Sequence, residues 1–154
     1  MMKIFGVGNI LMCDDGIGVR VAQGLKKSIE NIDNRIKVII GETDYMYCIS
    51  EINKEDLVII IDGTYFNIEP GEITVLPLDI FHEKLRISKF QHEESLVKVL
   101  TREFGEIRGW IIGIEIESID YSLDLSPTLK KDFDYICEKV FIEIKKLLEG
   151  NLYA

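Results

Sequence analysis

The chain opens on an apolar strand, Met2 to Val7, that runs into Gly6-Val7-Gly8-Asn9, and two adjacent carboxylates, Asp14 and Asp15, stand just ahead of a helical pattern. A strand, a glycine-rich turn and a helix in immediate succession commit the N-terminal region to an α/β arrangement. Such a turn often cradles a nucleotide phosphate on helix N–H groups. Here Leu11 occupies the place of the third glycine of G-x-G-x-x-G, and acids sit where the phosphate would lie. Two carboxylates repel a pyrophosphate and attract a cation. A metal-dependent site is the reading this inversion supports.

The rest of the sequence extends the same architecture. Apolar runs bounded by turn residues predict strands over 2–7, 36–41, 57–62, 72–78 and 107–114. Helical periodicity fits 16–31, 45–53, 92–104 and 128–148. In the last, Phe133, Ile136, Cys137, Val140, Ile144 and Leu147 or Leu148 form one apolar stripe among charged residues. Ser126-Pro127 supplies its start signal. Strands alternating with helices imply a mostly parallel sheet covered by helices. The link from Asp62 to Glu72, with Pro70-Gly71 inside it, is too short for a helical crossover, so the strand after it is expected to run antiparallel. At 154 residues without repeat or linker, a single domain over 1–154 is expected.

Charge narrows the partners. A net charge of −9 with no basic run argues against a nucleic acid held by its phosphates. No apolar segment approaches the ~20 residues of a membrane span, and the N-terminal strand has no signal-peptide layout, so a cytoplasmic location is the expectation. Cys13, Cys48 and Cys137 are scattered and odd in number, which supports neither a disulfide framework nor a zinc knuckle. Asp14 beside Cys13 opposes a thiolate there.

Ligands of open α/β sheets bind beyond the carboxyl ends of the strands. Asp15 follows strand one, and Asp62 closes the buried run Leu57-Val58-Ile59-Ile60-Ile61 ahead of Gly63. Asp-Gly is also a common turn pair, and a cap or turn acid accounts equally well for Asp62 taken alone. Helix capping and dipole compensation account for one acid of the first pair. Asp14 takes that structural role in this reading, and Asp15 the ligand. His82 follows a strand among charged neighbours, and His92 opens the predicted helix with Leu96, Val99 and Leu100 on its apolar side. Either histidine alone reads more simply as a surface or packing residue. Two aspartates and a histidine converging at one edge would suit Zn²⁺, Ni²⁺, Mn²⁺ or Fe²⁺.

Taken together, the motifs resemble those of the hydrogenase maturation proteases. The residues that carry the resemblance are Gly6-x-Gly8-Asn9 with Asp14-Asp15-Gly16-x-Gly18, Ile61-Asp62 with Pro70-Gly71, and His92. Gly113-Ile114-Glu115 with Glu117-Ser118-Ile119-Asp120, and Leu125-Ser126-Pro127, complete the set. The resemblance implies a three-layer α/β/α sandwich on a twisted, mostly parallel five-stranded sheet. It implies an endopeptidase that removes the C-terminal extension of a nickel hydrogenase large-subunit precursor after nickel insertion. The catalytic and metal-binding positions it implies are Asp15, Asp62 and His92, with nickel supplied by the substrate and Zn or Cd able to substitute in vitro. Gly41-Glu42-Thr43-Asp44 stands where some members carry Asp-Gly-Gly-Thr, which points to a different subgroup. Two rival readings are a non-catalytic chaperone that inspects a metal site and a nucleotide-binding α/β module whose acid would come from Gly41-Glu42.

Overall fold

The computed structural model describes residues 1–87 and 92–151. Its five strands are β1 (Met2–Val7), β2 (Ile36–Glu42), β3 (Leu57–Thr64), β4 (Ile73–Pro77) and β5 (Gly109–Glu115), in the spatial order β2-β1-β3-β5-β4. β1, β2, β3 and β5 pair in parallel, and β4 runs antiparallel to β5 along the edge. The short Pro70-Gly71 link therefore does reverse the chain. Gly71 adopts a φ of +87°, and its N–H donates to the Glu115 carbonyl at 2.8 Å.

Strand alternation divides the core between two faces. On one face Met2, Ile4, Ile59, Ile61, Ile112 and Ile114 pack against α1 (Ile17–Glu30) and the C-terminal helices. On the other, Phe5, Val7, Ile39, Val58, Ile60 and Ile111 pack against α2 (Tyr45–Ser50), α3 (Leu78–Arg86) and α4 (Leu96–Phe104). Helix, sheet and helix form three layers, as expected.

The helices depart from the sequence expectation in three places. α3 was not anticipated: Leu78 and Phe81 are buried along one side, with Asp79 in the first turn and Lys84 and Arg86 in the last. His82 thus lies on a helix. α4 begins at Leu96, not at residue 92, because the Ser95 hydroxyl accepts from the Lys98 N–H and caps the helix there. His92 falls in the preceding turn. The final helix is divided at Asp132 into α5 (Pro127–Lys131) and α6 (Phe133–Asn151). Its expected stripe holds, with Ile136, Val140, Ile144 and Leu148 buried. The Ser126 hydroxyl accepts from the Leu129 N–H at the start of α5, as its sequence signature indicates.

Candidate active site

Close packing of α1 on the sheet builds the site. A methyl group at Gly18 would stand 2.2 Å from the Ile61 carbonyl oxygen and 2.7 Å from that of Val7, so only glycine lets the helix start sit on the ends of β1 and β3. Gly8 turns the chain with a φ of +128°, and a methyl there would stand 1.9 Å from the Asp15 carbonyl oxygen. Together these contacts draw the loop that carries Asp15 toward the end of β3, where Asp62 sits.

The two acids of the first loop have different partners. Asp14 is fully buried, and its carboxylate accepts from the Glu117 and Ser118 N–H groups at 3.0 Å each and from the Ser126 N–H at 2.8 Å. Asp14 is structural, but not as a cap of the helix it precedes. α1 is preceded by Gly16, with no side-chain cap bond. Asp14 instead fastens the first loop to the segment after β5. Asp15 is partly exposed, and its Oδ2 accepts from the Asn9 N–H at 2.8 Å. The Gly8 N–H is taken by the Glu42 carbonyl at 3.0 Å. N–H groups that a phosphate would need are therefore already engaged, which counts against the dinucleotide reading.

Asp15 and Asp62 line one cleft of about 790 Å³ at the carboxyl edge of the parallel strands. The Gly63 N–H donates to Asp62 Oδ1 at 2.8 Å. Burial around the carboxyl, reinforced by the Asp15 charge, holds the Asp62 pKa well above the usual carboxylate range despite that bond. A second cavity, about 940 Å³, lies at the opposite edge beside Gly109 and Trp110, and it takes in His82 but neither aspartate. Its position at the amino ends of the strands removes it from the place where α/β sheets bind ligands.

His92 is exposed in the turn between α3 and α4. Its neighbours Glu93 and Glu94 line the cleft. The structure does not gather all three expected ligands: among the described residues, no three His, Cys, Asp or Glu side chains lie close enough to hold a metal ion.

Two further residues belong to this edge. Tyr45, at the start of α2, lines the cleft with both aspartates. Burial, then the charges of Asp62 and Asp15, push its phenol pKa upward and keep it protonated as a donor. Its place just past the end of β2 is the signal that could have singled it out. Glu115 closes β5 and is buried. It accepts from the N–H groups of Phe66, at 2.9 Å, and Asn67, at 3.0 Å, and so shapes the loop that follows Asp62. The thiols are not poised for chemistry. Burial, with Asp14 adding to it, raises the Cys13 pKa, and burial lifts Cys48 and Cys137 to about 11.

A family model described as hydrogenase maturation protease matches residues 19–143. The chain belongs to that family. A protein of Methanocaldococcus jannaschii assigned by name to the hydrogenase maturation proteases is 30% identical over 149 residues, covering 93% of this chain and 96% of its own. HupD of Rhizobium leguminosarum, a hydrogenase expression/formation protein, is 34% identical over 76 residues. That match spans 49% of this chain and only 37% of the relative. Among solved structures, the hydrogenase maturating endopeptidase HybD from Escherichia coli superposes with a TM-score of 0.73 at 25% identity, covering 94% of this chain and 92% of that one. The α/β fold and the peptidase class of this maturation protease follow from these matches.

Proposed function

We propose that this maturation protease removes the C-terminal extension of a nickel hydrogenase large-subunit precursor once nickel has been inserted. The reading rests on family membership, and the observation that carries it to a site is the pairing of Asp15 with Asp62 in one cleft. Two carboxylates, one of them desolvated beside the other's charge, are the oxygen donors a divalent ion takes. Such an ion would offset the burial and the Asp15 charge that together raise the Asp62 pKa. The nickel belongs to the substrate in this scheme. His92, in the turn that also supplies Glu93 and Glu94, is the proposed nitrogen donor.

When bound, nickel supplies polarisation of a carbonyl or acidification of a water. The protein's own part is to orient and to move a proton. Asp15 is held in place by the Asn9 N–H. Asp62 Oδ1 is held by the Gly63 N–H, while Oδ2 receives no hydrogen bond from a described residue. Where nickel serves only as a checkpoint and leaves Asp62 unbound, its raised pKa makes it the better proton acceptor, which suits it to activate water for attack on the scissile peptide. Residues 1–154 act as one such unit, and three free thiols suit a reducing cytoplasm. No described helix is long and apolar enough to cross a membrane.

Mass spectrometry of nickel-loaded precursor after incubation with the enzyme tests the reading. A mass loss at the precursor's C-terminus is expected. An intact precursor, bound but uncut, would leave the inspecting chaperone in its place.

A further inference from the structure

The segment from Glu117 to Ser126 has no regular secondary structure, yet it is laced to the first loop along its length. The Asp14 carboxylate takes the N–H groups of Glu117, Ser118 and Ser126. The Cys13 N–H donates to the Ser122 carbonyl at 2.9 Å, and the Ser122 N–H donates to the Leu11 carbonyl at 3.0 Å. Arg20 adds a bond from its guanidinium to the Leu123 carbonyl. With its backbone held in this way, the segment turns Leu125 toward the core and leaves Ile119, Tyr121 and Leu123 facing water at 51%, 79% and 66% exposure. Leu11, on the partner loop, is 42% exposed. Four large apolar side chains are thus held in solvent by a fixed backbone, and the hydrogen bonds that hold it do not depend on them. Clustered exposure of this kind marks an interaction surface.

We infer that this two-loop platform is the docking surface for the folded body of the precursor, and that it meets an apolar patch fringed by cationic side chains. The inference rests on the function proposed above and deepens it by naming the recognition chemistry. Charge and position both favour this occupant. Glu117, Asp120 and Asp124 fringe the apolar residues, in a protein of net charge −9. At the margin, Arg20 is engaged by Leu123, and Lys130 stands 3.9 Å from Asp124. A second copy of the chain would bring the same acids face to face across a two-fold contact, so self-association is disfavoured. Position supplies the second argument. Ile119 and Asp120 line the cleft that holds Asp15 and Asp62, so a partner seated on the platform has its neighbouring segment led to the carboxylates.

The test uses the full-length enzyme and nickel-loaded precursor. The double substitution Tyr121→Ser with Leu123→Ser removes two anchors whose side chains are exposed, and its melting temperature should match the parent. KM for the precursor is expected to rise about tenfold or more, since truncated interface anchors commonly cost that much binding. kcat should stay within about twofold, because neither residue lines the cleft. Tyr121→Arg, which adds a like charge against the cationic fringe, should raise KM at least as far. Added salt should raise the parent's KM by screening the acidic fringe. Tyr135→Ser, an exposed residue on α6, is the control and should leave KM unchanged. Parent-level KM in both platform variants overturns the inference. So does a concentration-dependent dimer of the parent that the double substitution abolishes, because the surface then belongs to a second copy. Failure of the parent itself to cut nickel-loaded precursor overturns the proposed function, and that result is read separately.

Discussion

At the residue scale, the acids of the first loop are neighbours in sequence with opposite duties. Asp15→Asn keeps an oxygen for the Asn9 N–H but removes the charge facing the cleft. Processing should be lost with little change in melting temperature. Asp14→Asn replaces one of two accepting oxygens with an NH₂ group inside a pocket of three N–H donors. At least one buried donor loses its partner, and a loss of about 1–3 kcal/mol in stability is expected from denaturant unfolding. Equal stability of the two variants would show that Asp14 does not fasten the loops. Asp62 differs from both. Its folded pKa is raised above the unfolded value, so folding binds its proton more tightly. The resulting stability is fully present below the ordinary carboxylate range near ~4 and is lost as pH rises through the folded value. Asp62→Asn, which never ionises, should therefore gain melting temperature over the parent at pH 7 to 8, lose that advantage toward pH 4, and be inactive throughout. Thermal melts across pH measure this. A fixed difference at all pH values would mean that Asp62 is not destabilised by its charge. That Asp15 and Asp62 would share one edge was legible because Asp15 lies in the loop after β1 and Asp62 closes the apolar run of β3. The partners of Asp14 were not legible. They lie more than a hundred residues away, and helix capping offered a local account that the fold did not use.

At the scale of elements, strands buried on both faces were plain as continuous apolar runs, as in Leu57 to Ile61, and the antiparallel β4 followed from the length of its link alone. α3 leaves little signal in the sequence because a nine-residue helix shows few apolar repeats, and its first residue, Leu78, reads equally well as the end of the strand over 72–78. The false start of α4 at residue 92 has a similar cause. Acidic Glu93 and Glu94 look like a first helical turn, while the cap that decides the boundary is Ser95. That shift matters for the site, because it places His92 in a turn and not on a helix face. The glycines of the first block were readable as a turn, but not as contacts. Gly18→Ala should separate α1 from the ends of β1 and β3 and move Asp15 relative to Asp62. A loss of several kcal/mol, or failure to fold, is expected, since the new methyl would meet two backbone oxygens that cannot rotate away. Gly24→Ala is the matched comparison on the same helix. Its methyl would find only the Cys137 sulfur at 3.9 Å, and helix propensity should make it neutral or stabilising by up to about 1 kcal/mol. Similar unfolding midpoints for the two variants would remove close packing as the reason that α1 lies where it does.

For the whole molecule, the decisive question is where metal specificity resides. Asp15 and Asp62 share the cleft with other acids, yet among the described residues no three His, Cys, Asp or Glu lie close enough to hold a metal ion. Such a site is too incomplete to choose among divalent ions, and affinity follows the general divalent order and availability. In the proposed scheme nickel selectivity comes with the precursor, and the enzyme adds its carboxylates to a set of ligands that neither partner holds alone. Three outcomes follow from this division. The enzyme purified without added metal should hold little, and Zn²⁺ or Cd²⁺ should bind weakly when supplied. Protons should compete for the site over a higher pH range than for ordinary aspartates, because the Asp62 pKa is raised, so affinity should fall as the pH drops toward the acid side of neutrality. Calorimetric titration at several pH values measures both effects. Cleavage, followed by mass spectrometry, should require precursor that already carries nickel, with zinc-loaded enzyme giving no product from nickel-free precursor. Efficient cutting of nickel-free precursor would place specificity in the enzyme's own metal, and the protein would then act as a metallopeptidase that does not wait for its client to be loaded.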